Sequence, residues 1–242
     1  MSVASVTYDF LEPGCAARAG ATARVHGALR EAIVSFEFKP GEVLDKQAIA
    51  TRLGVSRFPV GEAMNRLAAE GLVDIIPQSA SRVALMKMSD ARENMFLRRA
   101  IEVEAVRTLV RTNAGQLIGP LRQNLRHQKA AIASGDRIGF HEFDLGFHAI
   151  LLDALGFERV RNCAETARLG LDRVRRLLSS RRRQEDSLVE HLHIVDALEA
   201  GDADGAAQAM ERHLGSVMTE LEAFARQRPE LFADLNTGEI TA

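Results

Sequence analysis

The sequence predicts a mainly α protein with two parts, a small N-terminal helical unit that ends in a β-hairpin and a larger all-α helical bundle. Three observations lead to this prediction. Apolar residues recur every three or four positions through most of the 242 residues, which is the period of an amphipathic helix. Two short runs, LVDII and RVALM, have the composition of strands. Turns rich in Gly, Pro and Asp separate the helical stretches.

Composition limits the classes of protein to which this chain can belong. A net charge of −2 gives no whole-chain argument for a nucleic-acid partner, and two cysteines, Cys15 and Cys163, are too few for a disulfide framework or a thiolate metal site. The sequence has no apolar stretch of about 18 residues and no N-terminal secretion signal. These features predict a soluble cytoplasmic protein with reduced thiols.

The N-terminal unit is expected to cover residues 21–88, after a flexible arm at residues 1–20. Its first helix has apolar residues at helical spacing and ends at the turn KPG. A second helix spans about 45–53. Asp45 is its expected N-cap, and Gly54 ends it at the left-handed position that glycine tolerates best.

A turn of three or four residues, LGVS, joins this second helix to a third. Two helices joined in this way are typical of a helix-turn-helix. Ser56 is the expected N-cap of the third helix, Pro59 lies in its first turn, and Gly71 ends it. The two strand-like runs then form a hairpin, or wing. The N-terminal unit is therefore predicted to be a winged helix-turn-helix with a small β-hairpin wing.

The run GEVLDKQAIATRLGVSRFPVGEAMNRLAAEGLV resembles the winged helix-turn-helix of the GntR family of bacterial transcription regulators, with a match over about residues 22–88. In such a domain the N-terminal residues of the third helix enter the major groove of DNA. Arg57 is expected there to hold a guanine or a phosphate, Phe58 to contact a thymine methyl group, and Ser56 to donate to a phosphate. Contacts to the DNA backbone are expected from Arg52, Arg66 and Arg82. Taken alone, these arginines also fit the solvated face of a small helical domain.

Two features depart from the family pattern. Gly61 stands where the family usually has Arg, one turn after Arg57, and a glycine inside a helix costs about 0.5–1 kcal/mol relative to alanine and offers no contact. The wing tip reads Ser79-Ala80-Ser81 where the family commonly has Arg-Gly. We therefore expect DNA binding to be retained, with a different base readout or a weaker affinity.

Residues 89–228 predict an all-α helical bundle built from αα-hairpins. The run Arg181–Arg183 is expected to be a solvated loop within it, and residues 229–242 are expected to be a loose tail. The helices are predicted at about 95–109, 118–125, 140–155, 169–178, 188–198 and 206–224.

Four residues of the bundle are of types that bind divalent metals. Asp144 and His148 are four residues apart and so share one helix face. His191 and His213 each share a face with apolar residues and are expected to point into the bundle. One carboxylate and three imidazoles from three helices predict a metal site. For each histidine alone, the alternative is a core histidine with its hydrogen bonds satisfied.

The segments D-x-x-F-H, E-H-x-x-I-x-x-A and A-M-x-x-H-L look like the FCD ligand-binding domain, which accompanies this DNA-binding domain in one large branch of the family. The resemblance implies that Asp144, His148, His191 and His213 are metal ligands. Zinc is the expected ion. Nickel, manganese and iron are alternatives, because all accept imidazole and carboxylate.

A small carboxylate effector is expected to complete the shell of the metal, with an arginine as its clamp. The resemblance implies Arg98 or Arg99 for this role, Arg98 at the better spacing, and Arg175 is a further candidate. The alternative for these arginines is a surface salt bridge with Glu102 or Glu104.

The function expected from these features is that of a transcription regulator gated by a small organic acid. Repression that the acid relieves is the expected mode, and activation is the alternative. It should bind a palindromic operator as a homodimer, because two recognition helices then read paired half-sites. Two alternatives stay open. One is a metal-dependent enzyme, although no separate general base is evident near Asp144 and His148. The other is a direct metal sensor.

Overall fold

The computed structural model describes residues 8–11, 20–76, 80–112 and 115–235. The chain divides into two compact units. The first consists of Met1–Lys87 with Pro229–Ala242, and the second is Met88–Arg228. No helix in the described ranges has both the length and the apolar composition that a membrane span requires.

The first unit contains three helices and a small antiparallel sheet among its described residues. The strand order is β1-β3-β2, and Val43 pairs with Arg82 while Val73 pairs with Val83. The strand β1 was not predicted, because it forms only by pairing with β3, about forty residues further along the chain. In chain order the elements are α1 (Ala21–Val34), β1 (Val43–Leu44), α2 (Lys46–Leu53), α3 (Arg57–Ala69), β2 (Val73–Asp74) and β3 (Ser81–Val83).

Local capping explains where α2 begins and ends. One carboxylate oxygen of Asp45 accepts hydrogen bonds from the backbone N–H groups of Gln47 at 2.7 Å and Ala48 at 3.0 Å. Gly54 follows the helix with φ at 63°, in the left-handed region. Ser56 stands at the N-cap of α3, but its side chain makes no capping hydrogen bond, which differs from the expectation.

Two terminal segments are attached to the first unit, in contrast to the flexible arm and the loose tail that were expected. Tyr8 and Leu11 are buried in its core, and the Tyr8 hydroxyl accepts from the backbone N–H of Asp45 at 3.2 Å. Phe232 is fully buried, and Met86 bonds through its backbone to the chain on either side of Phe232. Residues 8–11 and 229–235 therefore belong to the folded unit.

The second unit is all-α in its described residues. Helix α4 packs against α7 and α9, α5 packs against α6 and α8, and α8 packs against α9. This architecture and the small sheet of the first unit confirm the predicted fold class. The helices are α4 (Met88–Thr112), α5 (Gly115–Ser134), α6 (Arg137–Ala154), α7 (Glu158–Leu178), α8 (Arg181–Glu199) and α9 (Ala203–Gln227).

The prediction of a solvated loop at Arg181–Arg183 is wrong. These residues form the first turn of α8, because the Ser180 hydroxyl accepts from the backbone N–H of Arg183 at 3.1 Å and caps the helix. The Arg183 side chain is buried, and its guanidinium pairs with Glu190 and Glu220. Arg183 thus contributes to the interior of the bundle, whereas Arg181 and Arg182 are exposed.

Candidate functional site

The four residue types expected to bind metal come together inside the second unit. Asp144 and His148 lie on α6, His191 on α8 and His213 on α9, and one possible ligand atom from each lies within 4.8 Å of the others. All four side chains are buried. The helices bring them together because each residue occupies the inward face of its own helix.

A chain of hydrogen bonds fixes the ring of His191. The Asn124 amide donates to the backbone carbonyl of Phe143 at 2.9 Å, so its oxygen is free to accept from the Gln128 amide at 2.8 Å. The Gln128 oxygen then faces Nδ1 of His191 at 3.0 Å. Since an amide oxygen only accepts, Nδ1 carries the proton and Nε2 keeps its lone pair.

In the other two rings, the Nδ1 atom faces a carboxylate oxygen. Nδ1 of His213 lies 2.8 Å from a carboxylate oxygen of Glu190, to which Arg183 is paired. Nδ1 of His148 lies 2.6 Å from a carboxylate oxygen of Glu102, at an angle outside that of a regular hydrogen bond. Partners of this kind fix the tautomer and the orientation of metal-binding histidines.

Arg175 on α7 pairs with one carboxylate oxygen of Asp144. The other oxygen lies 3.7 Å from Nε2 of His191, so one side of the carboxylate faces the imidazoles. Burial alone would raise the pKa of Asp144, but the charge of Arg175 and the nearby imidazoles outweigh it and hold this pKa well below its ordinary value. Asp144 is therefore ionised at neutral pH.

The imidazoles are neutral for a different reason. Burial, and then the neighbouring rings, lower the pKa of His191 and of His213 well below the ordinary value. Nε2 of each ring is buried and makes no hydrogen bond among the described residues. Neutral nitrogens beside a carboxylate are a donor set that can hold a divalent ion.

The three arginines considered for the effector fall in different places. Arg98 is fully buried, pairs with Glu102 at 2.7 Å and reaches within 3.4 Å of Nε2 of His148. Arg175 also reaches the cluster, through Asp144. Arg99 does not, because its side chain is exposed and pairs with Glu211. The alternative of a salt bridge between Arg98 and Glu102 is thus realised, but in the core.

Sequence reasoning did not predict which side chains contact the rings of the three histidines. Glu190 stands next to His191 in the chain, and Glu102 stands four residues after Arg98, so both gave a weak signal. Gln128 gave none, because α5 contributes no residue to the metal motif and only the packing of α5 on α8 brings it to the ring.

The N-terminal end of α3 presents the residues expected to read DNA. Ser56 and Arg57 are exposed, and the Phe58 ring is 75% exposed, which is unusual for a phenylalanine outside an interface. Because Pro59 and Val60 point into the core, the start of the helix is held with these three side chains outward. Gly61 follows, and a Cβ added there meets nothing within 4 Å.

The side chains expected at the DNA backbone differ in their availability. Arg66 on α3 and Arg82 on β3 are exposed, and Arg82 donates to the carbonyl of Gly41 at 3.2 Å. Arg52 is half-buried, and its guanidinium donates to the carbonyls of Tyr8 at 3.0 Å and Asp9 at 2.6 Å. Arg52 thus fastens residues 8–11 to α2, a role that the sequence did not indicate. Ser79 of the wing tip lies outside the described residues.

Comparison with known proteins finds a family model that matches each of the two units. Residues 21–83 match the family model for bacterial regulatory proteins of the gntR family, and residues 93–216 match the FCD domain. The chain is 34% identical over 206 residues to an HTH-type transcriptional regulator in an unstable DNA locus of Streptomyces ambofaciens, a match that covers 85% of this chain and 86% of that protein. It is 30% identical over 212 residues to the HTH-type transcriptional repressor RspR of Escherichia coli (strain K12), over 87% and 93% of the two chains.

A solved structure of a GntR regulator from Rhodococcus sp. RHA1 superimposes with a TM-score of 0.68 at 25% identity, over 84% of this chain and 97% of that one. The relatives are named as transcriptional regulators, which confirms the expectation of a regulator in place of an enzyme. Regulators of this family bind DNA and usually form dimers. The chain belongs to the GntR family of bacterial transcriptional regulators and carries an FCD domain after its DNA-binding domain.

Proposed function

We propose that this regulator acts in the cytoplasm as a repressor, binds a palindromic operator as a homodimer, and is released by a small organic acid bound at a metal site. We assign DNA binding to residues 21–88 and metal and effector binding to residues 89–228. The observation that carries the metal site is the convergence of four buried donor residues, two of which have an imidazole Nε2 atom without a hydrogen bond to any described residue.

The proposed ligands of the metal are Asp144, His148, His191 and His213. Zinc fits this donor set, and nickel, manganese and iron have the same preference for imidazole and carboxylate. A bound divalent ion would supply positive charge and open coordination positions for an effector carboxylate. Arg98 is the proposed clamp on that carboxylate, and Arg175 orients Asp144 while it adds positive charge.

Operator binding is assigned to the start of α3. Arg57 is the proposed base-reading residue, Phe58 the proposed contact to a thymine methyl group and Ser56 a phosphate donor. Arg66 and Arg82 are proposed backbone contacts. Release follows by linkage, because an effector that binds one arrangement of the dimer more tightly must shift the population toward it.

The DNA-binding part is tested by fluorescence anisotropy of the full-length protein. The probes are DNA from upstream of its own gene and a scrambled duplex, at about physiological salt because phosphate contacts make affinity salt-dependent. Arg57→Ala should lose the preference for the native sequence, while Arg92→Ala, an exposed arginine of α4, should keep it. Retained sequence preference in Arg57→Ala would mean that α3 is not the reading helix.

The metal part is tested by the metal content of purified protein. His191→Ala and His213→Ala should lose the ion and keep DNA binding, while His193→Ala should keep both, because His193 is exposed on the same helix α8. Unchanged metal content in the first two variants contradicts the site. An ion that survives dialysis against chelator argues against a direct metal sensor, since a sensor must exchange its ion.

A further inference from the structure

Three buried guanidinium nitrogens near the metal cluster lack an acceptor among the described residues. They are Nη1 of Arg98 on α4, and Nε of Arg168 and Nη1 of Arg175 on α7. Arg168 and Arg175 are seven residues apart, about two turns, so they lie on one face of α7. Unpartnered buried donors are rare in folded proteins, and each one calls for an explanation.

Arg168 was not among the residues that the sequence singled out. Its Nη1 donates to the backbone carbonyl of Leu145 at 3.2 Å, and Leu145 directly follows Asp144 on α6. This contact places the guanidinium beside the turn of α6 that carries the first proposed metal ligand.

The charges of this region do not balance. Arg98 is paired with Glu102 and Arg175 with Asp144, but no acidic residue in the described ranges forms an ion pair with Arg168. Burial lowers the pKa of Arg168, and the positive charges of Arg175 and Arg98 lower it further, while Glu102 and Asp144 act in the opposite direction. Among these five side chains three cations stand against two anions, and Arg168 is the cation without an ion pair among the described residues.

A metal ion explains the imidazole lone pairs but not these guanidinium groups. A cation accepts no hydrogen bond and adds to the positive charge, whereas an anion both accepts these hydrogen bonds and offsets the charge. A single carboxylate that completes the metal shell has only two oxygens. The guanidinium groups of Arg98 on α4 and of Arg168 and Arg175 on α7 would have to share them. An acid with a second carboxylate supplies a planar, bidentate partner for Arg168 as well.

We propose that the effector site selects an organic acid with at least two carboxylates, and that Arg168 is the specificity-determining residue that holds the second carboxylate. This inference rests on the metal and effector site proposed above. A monocarboxylic acid of the same length leaves the half-buried guanidinium of Arg168 without an anionic partner and is bound less tightly for that reason.

The test uses metal-loaded, full-length protein and isothermal titration calorimetry with matched acids. Succinate and butyrate share a four-carbon chain, as glutarate and valerate share five carbons, and each pair differs by one carboxylate. Within a pair, the dicarboxylate should bind at least about tenfold more tightly. Equal affinities within both pairs, or binding of neither pair, overturn the inference. Binding of inorganic phosphate in place of the dicarboxylates also overturns it.

Substitution of Arg168 separates specificity from structure. Arg168→Gln should weaken the affinity for succinate by about tenfold and leave the affinity for butyrate nearly unchanged. Arg161→Gln is the matched control. Arg161 lies on the same helix, its side chain is 43% exposed and it pairs with Asp153, so this variant should bind both acids as the wild type does. Arg168→Lys keeps the charge and should restore part of the preference for succinate.

Equal losses of affinity for succinate and for butyrate in Arg168→Gln would overturn the inference. They would show that Arg168 has a structural role, with ordered water as the acceptor of its buried N–H group. If Arg168→Gln fails to fold by circular dichroism, Arg168→Lys and the wild-type affinities for the matched acids decide the question. Metal content is measured on every sample. A wild-type protein that holds no metal defeats the proposed function, whereas a metal-loaded protein without preference for dicarboxylates defeats only this inference.

Discussion

Replacement of Gln128 by leucine tests whether the second layer of the cluster orients its histidines. Gln128 is fully buried on α5, where its oxygen accepts from Nδ1 of His191 at 3.0 Å and its amide donates to Asn124 at 2.8 Å. Leucine has a similar volume but makes neither hydrogen bond. The substitution therefore removes two polar contacts without opening a large cavity.

The expected magnitudes follow from these two contacts. The Nδ1–H of His191 and the side-chain oxygen of Asn124 stay buried without a partner, and each such group costs about 1–3 kcal/mol. The free energy of unfolding of the metal-free protein should fall by about 2–6 kcal/mol. Loss of a group that orients a metal-binding histidine typically weakens metal affinity by about 10–100-fold.

Two measurements check this result, urea unfolding of the chelator-treated protein and metal affinity by competition with a chromophoric chelator. Gln123→Leu is the control, because Gln123 is exposed on the same helix. Gln128→Glu keeps an acceptor for His191 and should keep most of the metal affinity. A metal affinity of Gln128→Leu that equals that of Gln123→Leu would refute the reasoning, since His191 would then need no orienting partner.

Three further predictions concern other parts of the chain. Gly61→Arg should tighten operator binding and steepen its salt dependence by about one phosphate contact, because the position tolerates a Cβ, with nothing within 4 Å, and arginine adds a positive charge. Gly61→Ala should leave the salt slope in anisotropy titrations unchanged. Arg52→Ala should lower the melting temperature through its lost bonds to Tyr8 and Asp9, while Arg66→Ala should instead reduce the salt slope for nonspecific DNA. Metal-free protein should lose stability to urea as the pH falls from 7 to 5.5. Burial lowers the pKa of His191 and His213 in the folded state, so the unfolded chain takes up protons first, near pH 6.5; a flat pH profile would contradict neutral, buried rings.

Local chemistry decided which parts of the fold could be predicted. The caps of α2 depend on Asp45 and Gly54 alone, and the sequence therefore placed this helix to within one residue. The strand β1 depends on pairing with β3 across some forty residues, a contact that no local pattern encodes. Arg183 was misassigned because a run of arginines resembles a solvated surface. Its acceptors are Glu190, about two turns further along α8, and Glu220 on α9.

The candidate site also has a part that the sequence predicts and a part that depends on packing. Its four donor residues lie on inward helix faces, and helical periodicity predicts such faces. Their partners were not predictable, because each reaches the ring or carboxylate from a neighbouring helix. The exception is the pair Arg98 and Glu102, whose spacing of four residues was recognised but was interpreted as a surface contact. Periodicity shows which residues share a face, and only the packing shows that this face is buried.

The second layer also determines how far a change at the cluster can spread. The donor residues belong to α6, α8 and α9, and their partners Glu102, Gln128 and Arg175 belong to α4, α5 and α7. Every helix of the second unit thus contributes a residue to the cluster or to its support. A shift of one ring must be matched by a partner on another helix, because a tightly packed interior does not absorb such a shift locally. Ligand binding at the cluster is therefore in a position to alter the packing of the whole unit, and Gln128→Leu, which uncouples α5 from His191, should weaken the response of operator binding to an acid more than it weakens operator binding itself.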